Sequence, residues 1–88
     1  MTYDEIQQHL DGLEEFDLSL GNVTVQVRRD SPESWLVARD GRTIGSFVRH
    51  QQGRATYYES QIASEPGETN WVSDDVTTLA SRMVTLES

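Results

Sequence analysis

The sequence predicts an α+β domain, a two-layer sandwich in which two helices cover one face of a four-stranded antiparallel meander. Three observations predict it. An apolar stripe of helical period lies near each end of the chain, segments of alternating polarity fill the middle, and short turn signals separate those segments. With 88 residues the chain has the length of one domain, so residues 1–88 are taken as a single unit.

The first element is a helix predicted over about residues 3–15. Thr2 and Glu5 match a capping box, in which the threonine hydroxyl accepts from the helix and the glutamate reaches back. Apolar residues then recur at spacings of three, four and three on one stripe: Tyr3, Ile6, Leu10 and Leu13. Residues 16–22 are expected to end this helix, because Gly21-Asn22 is a turn signal.

The middle of the chain is predicted to form four strands. Alternation of apolar and polar residues is typical of a strand with one buried face, and it is clearest where valines alternate with polar residues. Turns are expected at 30–33, at Asp40-Gly41 and at 51–53, and Asp-Gly is the dipeptide that suits a type I′ hairpin. The four predicted strands span residues 23–28, 34–39, 42–50 and 54–61.

A two-residue hairpin loop at Asp40-Gly41 fixes which residues share a face. It pairs Arg39 with Arg42, Val37 with Ile44, and Trp35 with Ser46. The face expected to lie under the helices then carries Val23, Val25, Val27, Trp35, Val37, Ile44, Val48 and Tyr57. The second face is expected to carry Leu36, Ala38, Phe47, Tyr58 and Ile62, with only an exposed loop at 63–70 left to cover it.

The last element is a helix after that loop. Ser73 is expected to cap it, and Asp74 and Asp75 lie in its first turn, where the helix dipole favours negative charge. Its apolar stripe comprises Val76, Leu79, Ala80, Met83 and Leu86. Trp71 and Val72 are expected to re-enter the core before this helix, and the sequence leaves open whether they add a further strand.

Composition excludes several classes of protein and of site. The chain has no cysteine, which excludes disulfides, thiolate catalysis and cysteine-based zinc sites. No apolar run approaches the ~20 residues that span a bilayer, so no membrane association is expected. The first ten residues are polar and acidic, unlike a secretory signal, and a cytoplasmic location is therefore expected.

The polar residues give no sign of catalysis, and the sequence predicts no enzyme. His9 and His50 are the two histidines, and neither has the spacing of a metal motif or the context of a nucleophile. The carboxylates of Asp74 and Asp75 are explained by the helix dipole. We therefore assign no catalytic, cofactor-binding or metal-binding residue.

The net charge of −8 is unevenly distributed. Residues 1–20 carry −6, residues 21–58 carry +3, and residues 59–88 carry −5. Every basic residue is arginine, and four of them are expected at one end of the sheet: Arg28, Arg29, Arg49 and Arg54. Arginines near aromatic side chains can hold single-stranded nucleic acid, but a net charge of −8 disfavours phosphate binding.

The order of helix, strands and helix resembles that of the double-stranded RNA-binding fold. The resemblance covers the order of elements alone, since the second helix here begins with two aspartates and contains no lysine. Nucleic-acid binding is therefore the weaker alternative.

The apolar second face predicts a non-enzymatic protein-interaction or regulatory domain whose pathway the sequence does not identify. Its partner is an unknown protein or a second copy of the chain, because apolar residues left without a covering layer favour association. The predicted surface comprises Leu36, Ala38, Phe47, Tyr58, Arg49 and Arg54. Two alternatives stay open: an acidic inhibitor, immunity-type or nucleic-acid-mimicking protein that binds a basic partner, and a weak nucleic-acid binder that uses the sheet arginines and aromatics.

Overall fold

The computed structural model describes residues 3–12, 15–62 and 71–87. Within them it has two helices and one antiparallel sheet whose strands pair in chain order as a meander, so the predicted α+β class is confirmed. The sheet has six strands rather than four. The elements are α1 (Tyr3–Gly12), β1 (Glu15–Leu20), β2 (Val23–Ser31), β3 (Ser34–Arg39), β4 (Arg42–Gln52), β5 (Ala55–Ile62), β6 (Trp71–Ser73) and α2 (Val76–Glu87).

The two additional strands lie at the edges of the sheet. β1 occupies the segment predicted to end the first helix, which stops at Gly12. Phe16 and Leu18 of β1 are buried and alternate with exposed polar residues, which is the period of two that is typical of a strand with one buried face. β6 settles the open question about Trp71 and Val72, which pair with β5. The predictions for Thr2, Leu13 and the 63–70 loop lie outside the described residues.

The β3–β4 hairpin turns where the sequence predicts but contains a bulge that it does not predict. Asp40 and Gly41 have φ of 53° and 81°, as a type I′ turn requires, and Arg39 lies opposite Arg42. The register then shifts at Ile44, so that Val37 lies opposite Gly45 rather than Ile44. A bulge adds one residue to one strand, and every later residue of β4 consequently changes face relative to the prediction.

This shift corrects the predicted faces of two aromatic residues. Phe47 lies opposite Trp35, and both Phe47 and Tyr58 are fully buried rather than exposed on the second face. Val48 and Tyr57, predicted for the core, lie on the other face, where Val48 is 38% exposed. The physical reason is the period of two in a strand, which converts a one-residue slip into an exchange of faces.

Three aromatic rings form the centre of the core. Trp35 stacks on Phe47 with ring centroids 5.2 Å apart, and Tyr58 meets both rings edge-on at 6.2 and 5.7 Å. The Tyr58 hydroxyl donates a 2.6 Å hydrogen bond to Gln7 Oε1 of α1. Burial of each ring stabilises the fold by about 1.5–3 kcal/mol, and the tyrosine hydroxyl keeps a partner there.

Both helices pack on the face that carries Trp35, which we call the inner face. α1 contributes buried Ile6 and Leu10 to the same core cluster as the rings. α2 contributes four buried apolar residues, listed as Val76, Leu79, Ala80 and Met83. Met83 lies directly over Gly45, a residue on the same side of β4 as Phe47. The predicted placement of both helices on one face is therefore confirmed, and the opposite side is called the outer face.

The start of α2 differs in detail from the prediction. The helix begins at Val76, so Asp74 and Asp75 precede it rather than lying in its first turn. Asp75 is the cap, because its Oδ1 accepts a 2.9 Å hydrogen bond from the Thr77 amide. Ser73 lies before this cap, and its Oγ accepts a 3.0 Å hydrogen bond from the Asp75 amide.

Candidate interaction surface

The outer face is a broad, shallow surface formed by alternate residues of the strands. Its partly exposed apolar side chains define what we call the outer-face patch: Leu36, Ala38, Val48, Tyr57 and Val72. Val48 and Val72 both lie opposite Glu59, one on each side, so three strands contribute to one row. Leu36 lies opposite Ser46 in the neighbouring row. Cross-strand neighbours at these positions are close enough for their side chains to touch.

No helix packs on the outer face within the described part of the chain. α1 and α2 bury their apolar stripes in the inner-face cluster, which also takes Phe16 and Leu18 of β1. Antiparallel sheets commonly leave one face to solvent, and that face is then mostly polar. Here the outer face mixes polar side chains with the outer-face patch.

A depression of about 210 Å³ lies on the outer face beside the patch. Leu36 and Ala38 contribute to its lining, together with polar side chains from three other segments. Its full lining is Glu15, Gln26, Arg28, Leu36, Ala38, Gly41 and Thr43. The depression is shallow, and no histidine is among the described residues that line it.

The structure separates the six residues predicted for the surface. Leu36 and Ala38 lie on the outer face as expected, half-buried. Arg54 is exposed at the β4–β5 turn. The remaining three lie on the inner side of the sheet: Phe47, Tyr58 and Arg49.

The outer-face residues that sequence reasoning missed are Val48, Tyr57 and Val72. One signal could have found the first two. Gly45 interrupts an otherwise regular strand, and an isolated glycine in a strand often marks a bulge. A bulge at that point exchanges Val48 for Phe47 on the outer face.

Arg29 and Arg49 come together on the inner face, over the ring of Trp35. Their guanidinium carbons lie 5.6 and 5.3 Å from the ring centroid. Cation–π contacts of this kind contribute about 0.5–1 kcal/mol or more when partly desolvated. Arg29 also donates a 2.7 Å hydrogen bond to the Leu10 carbonyl near the end of α1, which anchors the helix to β2. Arg28 lies on the outer face, apart from this pair.

Arg49 connects three segments of the chain. Its Nε donates to Glu33 Oε2 at 2.7 Å, and its Nη1 donates to Asp11 Oδ1 of α1 at 2.6 Å. The Arg49 backbone amide also donates to the Glu33 carbonyl at 2.8 Å. The side-chain hydrogen bond from Arg49 lowers the pKa of Glu33, and the same bond raises the pKa of Arg49. This arginine therefore serves the fold, with its charge matched by two carboxylates.

The two histidines lie on different faces and have different partners. His9 stacks on Phe16 with centroids 5.2 Å apart. His50 stacks on Tyr57 at the same distance and lies 3.2 Å from Glu59 Oε1. The part of the chain that the structure describes contains no group of three or more potential metal ligands.

Comparison with known proteins adds no functional information. No family model matches the chain, and neither a curated protein nor a solved structure is significantly similar to it. Among the described helices, none has the length and apolar character needed to cross a membrane. The geometry of the outer face is thus the observation from which a function is argued.

Proposed function

We propose that the chain is a non-enzymatic protein-interaction or regulatory domain that binds its partner through the outer face of the sheet. One observation carries the proposal: both helices lie on the inner face, and no described element covers the outer-face patch. Apolar groups left in water at the centre of a broad surface favour association, because burying them releases about 25 cal/mol per Å².

The position of the patch supports this function. Leu36 and Val48 belong to β3 and β4, the two central strands, so these two residues lie near the middle of the face. Val72 continues the patch on β6 and is 56% exposed. An apolar centre with polar surroundings is the usual arrangement of a protein–protein interface.

The nucleic-acid alternative receives less support from the geometry. Arg49 is held by Asp11 and Glu33, and Arg29 donates to the Leu10 carbonyl. Both arginines lie under α1, on the face opposite the outer-face patch. Few of the sheet arginines are therefore placed to follow a phosphate backbone across an aromatic platform.

The experiment is a matched pair of charge insertions, Leu36→Asp and Leu86→Asp. Leu36 lies in the patch, whereas Leu86 is a 41% exposed leucine on α2, away from the outer face. Leu36→Asp should weaken association about tenfold or more, because it places a charge in the centre of an interface, and Leu86→Asp should leave association unchanged.

Association is measured by sedimentation for the chain alone and by affinity capture from a lysate of the source cells, after circular dichroism has shown that both variants fold. Phe47→Asp is unsuitable, because Phe47 is fully buried and the substitution would unfold the domain. A wild-type monomer with no captured protein, or equal effects of the two leucine substitutions, would contradict the proposal.

A further inference from the structure

Among the side chains that the structure describes, α1 buries fewer apolar groups than α2. In residues 5–12 of α1, Ile6 and Leu10 are buried, and His9 stacks on Phe16 at the edge of the sheet. α2 buries four apolar side chains in the same core. We infer that α1 is a lid, a helix that opens from the inner face as a unit while the sheet and α2 stay folded.

Polar contacts make up a large part of the attachment of α1. Three side chains of the sheet donate hydrogen bonds to it: Arg29 to the Leu10 carbonyl, Arg49 to Asp11 Oδ1 and Tyr58 to Gln7 Oε1. Water replaces such bonds when the groups separate, so each adds little to the stability of the closed state. The ion pair with Arg49 adds little as well, because the Asp11 side chain is 60% exposed.

Three buried nitrogen atoms at this contact have no hydrogen-bond partner in the part of the chain that the structure describes: Gln7 Nε2, Arg29 Nε and Trp35 Nε1. Gln7 belongs to α1 and Arg29 is bonded to α1, while Trp35 lies under the guanidinium groups of Arg29 and Arg49. A buried donor without an acceptor destabilises the closed state, because it has lost water and gained no partner. Opening of α1 returns water to these groups, which lowers the free energy needed to open.

The contact of α2 with the sheet has the opposite character. None of its described side chains carries an unpaired buried polar atom. Met83 lies in the space above Gly45, so the helix and β4 fit closely. α1 has ten residues, and a helix of that length is marginal without tertiary contacts. The element of lowest local stability is therefore α1, and its opening does not require the separation of α2.

Opening of the lid would uncover a basic aromatic surface. Trp35 and Tyr58 are fully buried in the closed state. Arg29 and Arg49 lie over the Trp35 ring and would lose their bonds to α1, while Arg49 would keep its bond to Glu33. α1 thus controls the access of solvent and solutes to two guanidinium groups and two aromatic rings on the inner face.

Thiol labelling tests the inference, because the chain has no cysteine of its own. Leu10→Cys and Leu79→Cys each place one thiol at a fully buried position, the first in α1 and the second in α2. Relative to the rate in the unfolded chain, the thiol of Leu10→Cys should react at least tenfold faster than that of Leu79→Cys. Its rate should also depend less on urea, because opening of α1 exposes much less surface than global unfolding.

Hydrogen exchange of the unsubstituted chain, followed by NMR, keeps the test independent of these substitutions. After correction for intrinsic rates, the amides of residues 8–11 in α1 should exchange at least tenfold faster than those in the middle of α2 and β4. Met83→Ala should speed exchange in α2 and β4 about tenfold or more, because it removes buried apolar contacts. The α1 amides should keep their wild-type rates in this variant, since opening of α1 leaves Met83 in place.

Two results would overturn the inference. One is equal labelling of the two thiols with equal dependence on urea, and the other is faster exchange of α1 in Met83→Ala, in step with α2. Either result would show that α1 opens only when the whole domain unfolds. Neither would affect the proposed function, because the lid lies on the inner face and the outer-face patch lies on the other side of the sheet.

Discussion

Gly45 is the position at which the packing of α2 on the sheet is most sensitive to an added methyl group. A Cβ at this position would lie 2.6 Å from Met83 Sδ, 3.0 Å from Met83 Cγ and 2.8 Å from the Gln61 carbonyl oxygen. The methionine can rotate away, but the carbonyl belongs to the neighbouring strand and cannot move without disturbing the sheet. Overpacking of this kind costs about 1–3 kcal/mol. Gly45→Ala should therefore lower the free energy of unfolding by about 2 kcal/mol and the midpoint temperature by about 8–16 °C.

The assay is thermal and urea unfolding of Gly45→Ala beside Gly12→Ala. A Cβ at Gly12 would meet nothing within 4 Å, and alanine suits a helix better than glycine, so this control should keep or slightly raise stability. In a Met83→Ala background Gly45→Ala should cost about 1 kcal/mol less, because the contact with the backbone of Gln61 is all that then remains. If Gly45→Ala is as stable as wild type, α2 does not pack against β4 as described.

Two further predictions concern the cap of α2 and the arginine that holds α1. Asp75→Ala should cost about 1 kcal/mol in urea unfolding, because it removes the acceptor for the first turn of α2, whereas Asp74→Ala should change stability by less than about 0.5 kcal/mol; equal effects would contradict the capping role. Arg49→Met should lower stability at pH 7 and should flatten its dependence on acid. The pKa of Glu33 is lowered below its ordinary value of 4.5 in the folded state, so its contribution is complete above pH 4.5 and is lost as the pH falls through the lowered value. The urea midpoint of wild type should therefore fall more between pH 7 and pH 3 than that of Arg49→Met, and parallel pH profiles would refute the pairing.

The parts of the fold that were predicted correctly depend on local patterns. The valines of β2, the Asp40-Gly41 turn and the apolar stripe of α2 each indicate their element within a few residues of sequence. Placement of both helices on one face followed from the fact that each has a single apolar stripe. These features need no knowledge of distant contacts, so the sequence was sufficient for them.

The parts that were missed depend on contacts between distant residues. β1 has the alternation of a strand, but it follows a helix closely and its pairing with β2 was not foreseen. β6 has only three residues and is stabilised by pairing with β5. A very short edge strand has too few residues for a clear sequence pattern, because pairing with the neighbouring strand determines whether it forms. The prediction of which residues form the candidate surface was partly wrong for the same reason, since the face on which each of them lies depends on the register of β4.

The bulge at Ile44 links the docking of α2 to the chemistry of the outer face. Without it, Phe47 would join Leu36 on the outer face and Val48 would enter the core, leaving a large aromatic side chain in water. With it, the bulged Ile44 and Phe47 are both buried on the inner face, and Gly45 leaves the space that Met83 fills. The outer face keeps smaller apolar side chains among carboxylates.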